Sequence, residues 1–271
     1  MSAKTLPRGV LGVVHLPALP GDPAHVGASF RDVERFAMAD AEALAGGGVA
    51  GLVLENFGSA PFPKGSAGSR VPPHHVATLA LLARACVERF GLPVGVNCLR
   101  NDVFSALGVA SSSGADFVRV NVHTGAYLTD QGVIEGEADL SLRYRASLAP
   151  ARPAIAADVL VKHATPLTPL SMTRAVHEVL DRGLADAVIV TGVATGSEVN
   201  EDELAEARDA AGERAVWLGS GLTPQRAEVF ARYADAAIVG TWLKQNADVR
   251  APVDPGRVRE LVAAFGAGRE R

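Results

Sequence analysis

Apolar residues along this chain follow two alternating rhythms. Short β-branched runs recur, each closed by Gly, Asn, Thr or a charged residue. They are GVLGVVHL (9–16), AGLVLENF (50–57), PVGVNCLR (93–100), DFVRVNVH (116–123), ADVLVKHA (157–164), DAVIVTG (186–192), AVWLGSG (215–221) and DAAIVGT (235–241). Between them lie alanine-rich stretches whose apolar positions return every three or four residues: SFRDVERFAMADAEALAGGG, HHVATLALLARACVERFG, NDVFSALGVASSSG, SMTRAVHEVLDRG, NEDELAEARDAAGE and PQRAEVFARYA. The first rhythm predicts strands and the second amphipathic helices. Gly91, Gly114 and Gly183 stand where helix C-caps are expected.

Eight strand–helix units without a linker-like break predict one α/β domain over residues 1–271, a closed (β/α)8 TIM barrel. The rival is an open doubly wound sheet. That fold carries a GxGxxG turn after its first strand, and VVHLPALPG has none.

In the barrel, catalytic faces lie at the C-terminal ends of the strands, and the loops after strands seven and eight often hold a phosphate. Here those loops read GSGLT and GTWLK. Gly219, Gly221 and Gly240 remove the Cβ atoms that keep an anion from the backbone, while Ser220 and Thr241 add hydroxyl donors. Thr191 and Gly192 follow strand six and offer a third wall. The structural alternative is a pair of tight turns, which also favour glycine.

Strand alternation assigns the faces. In FVRVNVH the valines at 118, 120 and 122 share the face toward the helices, so Arg119, Asn121 and His123 point inward. By the same parity Val53 and Glu55 point inward from strand two, Asn97 from strand three, and Leu160 and Lys162, with Asp158 below them, from strand five. Barrel interiors are usually aliphatic, and unpaired buried charge is costly. A polar set in the upper interior therefore predicts a site, with a self-satisfied ion-pair network as the alternative. Interior layers draw on alternate strands, which places Arg119 against Glu55.

Three further segments reach the same rim: 57–73 with Lys64, 124–145 with Asp130, Gln131 and Glu135, and Arg100–Asn101–Asp102. Asp102 and Glu135 are candidate ligand contacts, although Asp102 also stands where a helix N-cap would.

Composition narrows the partners. A net charge of −4 with scattered Lys and Arg does not make a nucleic-acid surface. No apolar run approaches a membrane span, so any membrane contact would be peripheral. Cys86 and Cys98 make neither a metal nor a disulfide pattern, which fits a reducing cytoplasm. Homo-oligomer formation is compatible with such a chain.

The motifs GVVHLPALPG, VLENFGSAPF, GVNCLRND, FVRVNVHTGAYLTDQGVIEG, ADVLVKHA, AVIVTGVATG, GSGLT and IVGTWLK resemble the BtpA family, also called BtpA/SgcQ, from about residue 9 to 255. Cys98 departs from an aliphatic position on the outward side of strand three. The resemblance implies a phosphate-binding TIM barrel. It also implies associations rather than a reaction: one member is needed for photosystem I accumulation at membranes, and another lies among sugar-uptake genes.

Three functions follow. The first is an isomerase or lyase acting on a phosphorylated small metabolite such as a sugar phosphate or a nucleotide-like compound. Gly192, Gly219, Ser220, Gly221, Gly240 and Thr241 would hold the phosphate, and Glu55, Asn97, Arg119, Asn121, His123 and Lys162 would surround the reacting carbons. Lys162 would act as a charge that steadies an enolate or phosphate oxygen, or as a Schiff-base nucleophile, the charge role being the commoner for such lysines. The second is a non-catalytic biogenesis or stability factor for membrane complexes. The third is a hydrolase with a divalent metal on His15, Glu55 and His123, for which no close ligand pair speaks. No other cofactor is expected.

Overall fold

A computed structural model describes residues 6–192 and 199–269. The chain runs β1 (Gly9–His15), α1 (Phe30–Gly46), β2 (Gly51–Glu55), α2 (Pro73–Phe90), β3 (Val94–Asn97), α3 (Val103–Ser113) and β4 (Phe117–Val120). A hairpin follows, β5 (Ala126–Thr129) and β6 (Gly132–Glu135), then α4 (Ala138–Ser147), β7 (Ala154–Val159), β8 (Ala164–Pro166) and α5 (Met172–His177). The last part is β9 (Ala187–Val190), α6 (Glu201–Ala211), β10 (Ala215–Leu218), α7 (Pro224–Phe230), β11 (Ala236–Val239) and α8 (Pro255–Arg269). Strands β1, β2, β3, β4, β7, β9, β10 and β11 close a parallel barrel, with β11 returning to β1. The (β/α)8 expectation holds.

Two apolar layers build it. The outer one fills the space between barrel and helices and takes the outward residues Leu52, Leu54, Val94, Val96, Val118, Val120 and Val159. The inner one plugs the lower barrel with Leu11, Val13, Val53, Phe117, Ile189, Trp217 and Ile238. Phe117 and Trp217 meet edge to face at 5.1 Å. Gly95 makes this possible, because a Cβ there would lie 2.2 Å from the Phe117 ring. Polar side chains thus begin only above the plug.

Several helices start on side-chain caps. Ser29 and Asp32 form a capping box on α1, and Ser171 and Asn200 accept the N–H groups of Arg174 and Asp202. Gly91 and Gly114 end α2 and α3 in the left-handed region. Gly183 does not; its φ is −80°. Glycine is needed there for close approach, since a Cβ would sit 2.7 Å from Thr124 Cγ2 and 2.9 Å from His123 Cδ2.

Two features depart from the sequence reading. The fifth barrel strand is Ala154–Val159, earlier than 157–164, and Leu160 breaks it with a φ of 45°. Leu160 therefore packs against the outer core rather than inside the barrel. The segment 124–145 also contains the hairpin and the start of α4. Together with β8 the hairpin makes a small antiparallel sheet, whose Tyr127 and Ile134 pack on Val122 and Val161.

Behind β11, Lys244 is fully buried and its ammonium pairs with Asp40 of α1. The second Asp40 oxygen accepts the Val253 N–H at 2.8 Å.

Candidate functional site

The polar layer begins where the plug ends. His15 and Glu55 are the last residues of β1 and β2 and stand in register, and Asn97 ends β3 in register with Glu55. Asn97 Nδ2 donates to Glu55 Oε2 at 2.8 Å, and His15 Nε2 lies 3.7 Å from Glu55 Oε1. The His15 ring packs on Phe57 at 4.7 Å, and its Nδ1 is buried without a hydrogen-bond partner. Gly240 leaves room for that ring, since a Cβ there would come within 2.3 Å of His15 Cε1.

Arg119 does not pair with Glu55. Its Nε and Nη2 donate to the two oxygens of Asp158 on β7, each at 3.0 Å, and Asn121 Nδ2 adds a third bond at 2.9 Å. The reason is lateral distance. Strand β4 hydrogen-bonds β7 directly, with Arg119 opposite Ala156, whereas β2 lies beyond β3. Asn97 occupies that intervening strand and takes the Glu55 carboxylate itself.

Lys162 reaches the mouth by a route that strand parity does not describe. Its N–H donates to Thr191 Oγ1 at 3.0 Å, and its carbonyl accepts from Arg100 Nη2 at 2.7 Å. Above this floor stand Gly219–Thr223 and Gly240–Trp242. With Val13, His15, Glu55, Phe57, Arg119 and Lys162 they line one cavity of about 140 Å³. Gly221 is left-handed, with a φ of 73°. Gly192 stands behind this wall, its N–H donating to Ser220 Oγ at 3.4 Å.

Charge in the cavity is uneven. Burial pushes the His15 imidazole down to about 4, against the pull of Glu55, so the ring is neutral at pH 7. For Glu55, burial acts upward, but His15, Arg119, Lys162 and the Asn97 hydrogen bond outweigh it and hold the carboxyl below its ordinary value. Burial also drives Lys162 down, and with the Arg119 charge beside it brings the amine to about 8. Arg119 goes the other way: burial disfavours its charge, but Asp158 and Glu55 raise its pKa. The arrangement combines an ionised carboxylate, an amine that titrates near neutrality and two glycine turns. Such a set can seat an anion and move protons beside it.

Several expected contacts lie elsewhere. Asn101 bonds the Val122 backbone in both directions, at 2.7 and 2.8 Å, and turns the chain after β4. His123 is thereby carried out of the barrel, where its Nε2 meets the Gly183 carbonyl at 2.8 Å. It is not at the mouth, and His15, Glu55 and His123 do not converge. Among the described residues no group of three or more His, Cys, Asp or Glu is placed to hold a metal ion. Asp102 caps α3 through Ser105 N–H at 3.0 Å and also accepts the Val71 N–H at 2.8 Å. Both oxygens are thus committed to the fold. Glu135 is exposed on β6 and does not line the cavity. Asn121 braces Asp158, and its Oδ1 is buried without a partner. The residue that parity undervalued is Asp158, which anchors both Arg119 and Asn121.

The pattern of the BtpA family matches residues 7–266. This chain belongs to the BtpA family. It is 44% identical to the photosystem I biogenesis protein BtpA of Synechocystis sp., over 96% of this chain and 88% of that protein. An uncharacterized protein of Pyrococcus horikoshii is 40% identical over 97% of this chain and 98% of its own length. A mitochondrial protein of Caenorhabditis elegans is 30% identical, with 93% and 91% covered. Among solved structures, tryptophan synthase from Mycobacterium tuberculosis aligns with a TM-score of 0.62 at 15% identity, covering 96% of this chain and 93% of that one. Thiamine phosphate pyrophosphorylase from Pyrococcus furiosus aligns at 0.58 and 12%, with 96% of each chain covered. At these identities the likeness concerns the fold. No helix among the described residues is long and apolar enough to cross a membrane.

Proposed function

We propose that this BtpA-family protein is an enzyme of isomerase or lyase type acting on a phosphorylated small metabolite. The observation that carries the reading is the single cavity joining the turns Gly219–Thr223 and Gly240–Trp242 to a floor of Glu55, Arg119 and Lys162. Those turns follow β10 and β11, the seventh and eighth barrel strands, where this fold commonly seats phosphate. Backbone N–H groups of Gly221 and Gly240, with the hydroxyls of Ser220 and Thr241, would hold the phosphoryl oxygens, while the Gly219 N–H is already given to the Val190 carbonyl at 2.8 Å and its missing side chain leaves room beside them. A cavity of about 140 Å³ has room for roughly five waters. That is the scale of a phosphoryl group and a short carbon chain, not of a polymer.

Over the floor, Glu55 is the proton acceptor, oriented by Asn97. Arg119, fixed by Asp158, contributes positive charge where an oxyanion would develop. A carboxylate and an amine on either side of a bound carbon skeleton suit proton transfer beside a carbonyl. Phosphate appears in the name of the P. furiosus neighbour, which is an analogy of fold only. Cys86 and Cys98 are free and buried, which fits the cytoplasm as the setting.

The name of the Synechocystis relative suggests a non-catalytic role in assembling photosystem I. Such a role requires a surface rather than a charged cavity, and relatives at 30–40% identity occur in an archaeon and an animal, which have no photosystem. The test has two arms. Inorganic phosphate should raise the melting temperature, and a panel of sugar phosphates in D2O should show enzyme-dependent deuterium incorporation or cleavage by NMR. Failure of both arms would overturn the reading.

A further inference from the structure

Four of the 26 basic residues are lysines. Lys4 lies outside the described residues, Lys64 is on the loop after β2, and Lys244 is buried against Asp40. The fourth is Lys162, in the cavity. Where a fixed positive charge is needed in this mouth, the chain uses Arg100 and Arg119. Arginine also grips phosphate better, through two parallel donors, and it does not lose its proton. A lysine at this one place supplies what arginine cannot: an amine able to become a nucleophile.

The backbone holds that amine in place. Leu160 and His163 flank the Val161–Lys162 step with φ values of 45° and 56°, a conformation that residues with side chains seldom adopt. Such backbone persists where its surroundings over-determine it. Here Thr191 Oγ1 takes the Lys162 N–H and Arg100 grips its carbonyl. Among the described residues no carboxylate pairs with the Lys162 ammonium, unlike that of Lys244. Arg119 gives its Nε and one Nη2 donor to Asp158, and Glu55 lines the same cavity as a proton acceptor.

We propose that Lys162 condenses with the carbonyl of a short phosphorylated aldehyde or ketone, so that the reaction passes through an imine on this side chain. The proposal rests on the phosphorylated-metabolite reading and names its substrate class. The neutral Nζ bonds to the carbonyl carbon, and the C=O π pair moves to oxygen. Glu55 relays both amine protons in turn from nitrogen to that oxygen, which leaves as water, and the neutral imine so formed takes one proton from solvent water. The protonated imine then takes the electron pair of the adjacent C–H bond, whose proton goes to Glu55, or of the adjacent C–C bond, in which case the far carbon leaves as a carbonyl and its hydroxyl proton goes to Glu55. Glu55 then returns a proton to the enamine carbon and restores the protonated imine. Hydration by one water returns the amine, so no oxidant or reductant is required.

Glyceraldehyde 3-phosphate and unphosphorylated glyceraldehyde serve as probes on the whole protein, with borohydride reduction and peptide mapping of the adducts. The expected result is reduced adduct on Lys162 at least tenfold above Lys64, with inorganic phosphate protecting and glyceraldehyde much the weaker label. Lys162→Arg, with unchanged circular dichroism, should lose the adduct and keep stabilisation by phosphate. Labelling no greater at Lys162 than at Lys64 overturns the imine, whether or not phosphate binds. Labelling of Lys162 that is equal for both probes and insensitive to phosphate upholds the imine and overturns the phosphate site.

Discussion

Replacing Arg119 by methionine keeps the volume roughly constant and leaves a carboxylate stranded. Arg119 and Asp158 exchange two bonds of 3.0 Å, with side-chain exposures of 4% and 0%. In the variant, Asp158 keeps the Asn121 bond at 2.9 Å, which offsets part of the loss. Breaking one side of a buried pair costs about 3–5 kcal/mol. An unfolding entropy of about 2 cal/mol/K per residue makes this a fall of ~5–9 °C in melting temperature for a chain of this length. Scanning calorimetry at pH 7 measures it directly. The double variant Arg119→Met/Asp158→Leu removes the stranded charge and should recover most of the loss. A single variant melting within about 1 °C of the parent would refute the account. So would a double variant whose loss is simply the sum of the two singles.

Three other outcomes follow from the same geometry. Between pH 7 and 5 the His15 imidazole is protonated in the unfolded chain but stays neutral when folded, so acid favours unfolding; with a folded value of about 4 the loss is about 2 kcal/mol. His15→Gln should flatten that limb in urea titrations, and an unchanged limb would assign it to other groups. Gly221→Asp puts a carboxylate and a side chain at a φ of 73°, and phosphate at ten times its Kd, worth about 1.4 kcal/mol to the parent, should no longer raise the melting point. Continued stabilisation of this variant would place the anion elsewhere. Asp102→Ala removes the α3 cap and orphans the Val71 N–H, costing about 2–4 kcal/mol. Urea melts measure that loss, and limited proteolysis should cut the 57–73 loop several-fold faster; cleavage at the parental rate would mean that Asp102 does not hold it.

Period-2 alternation located Glu55, Asn97 and Arg119 because each belongs to a regular barrel strand or its last residue. It failed once the chain left the ladder. His123 follows a turn that Asn101 sets by bonding Val122, 21 residues on, and its ring meets the carbonyl of Gly183, 60 residues on, so no local pattern carries that information. The fifth strand lies earlier than its apolar run predicts for a related reason. Half of its residues, AIAADV, are alanine, whereas the apolar VLV that begins at its last residue includes the left-handed Leu160. Parity also gives a face without giving a partner. Arg119 could be placed inside the barrel, but choosing Asp158 over Glu55 required strand neighbours. Asp102 could be read as a cap from its place before VFSALGVA, and the cap is what the structure shows.

The wall bearing Gly240 and Thr241 is fastened from behind. Lys244 joins Asp40, Asp254 N–H reaches the Leu243 carbonyl at 2.8 Å, and Arg257 Nε reaches the Trp242 carbonyl at 2.6 Å. The Arg257 guanidinium also covers the Trp242 ring at 4.2 Å. Amide hydrogens of Leu243, Lys244 and Asp254 should therefore exchange with solvent only as slowly as those of the barrel strands, through global rather than local opening. A ligand reaching this wall meets backbone already ordered, and its binding loses little chain entropy there. Exchange at these three amides should consequently be nearly the same with the cavity filled or empty.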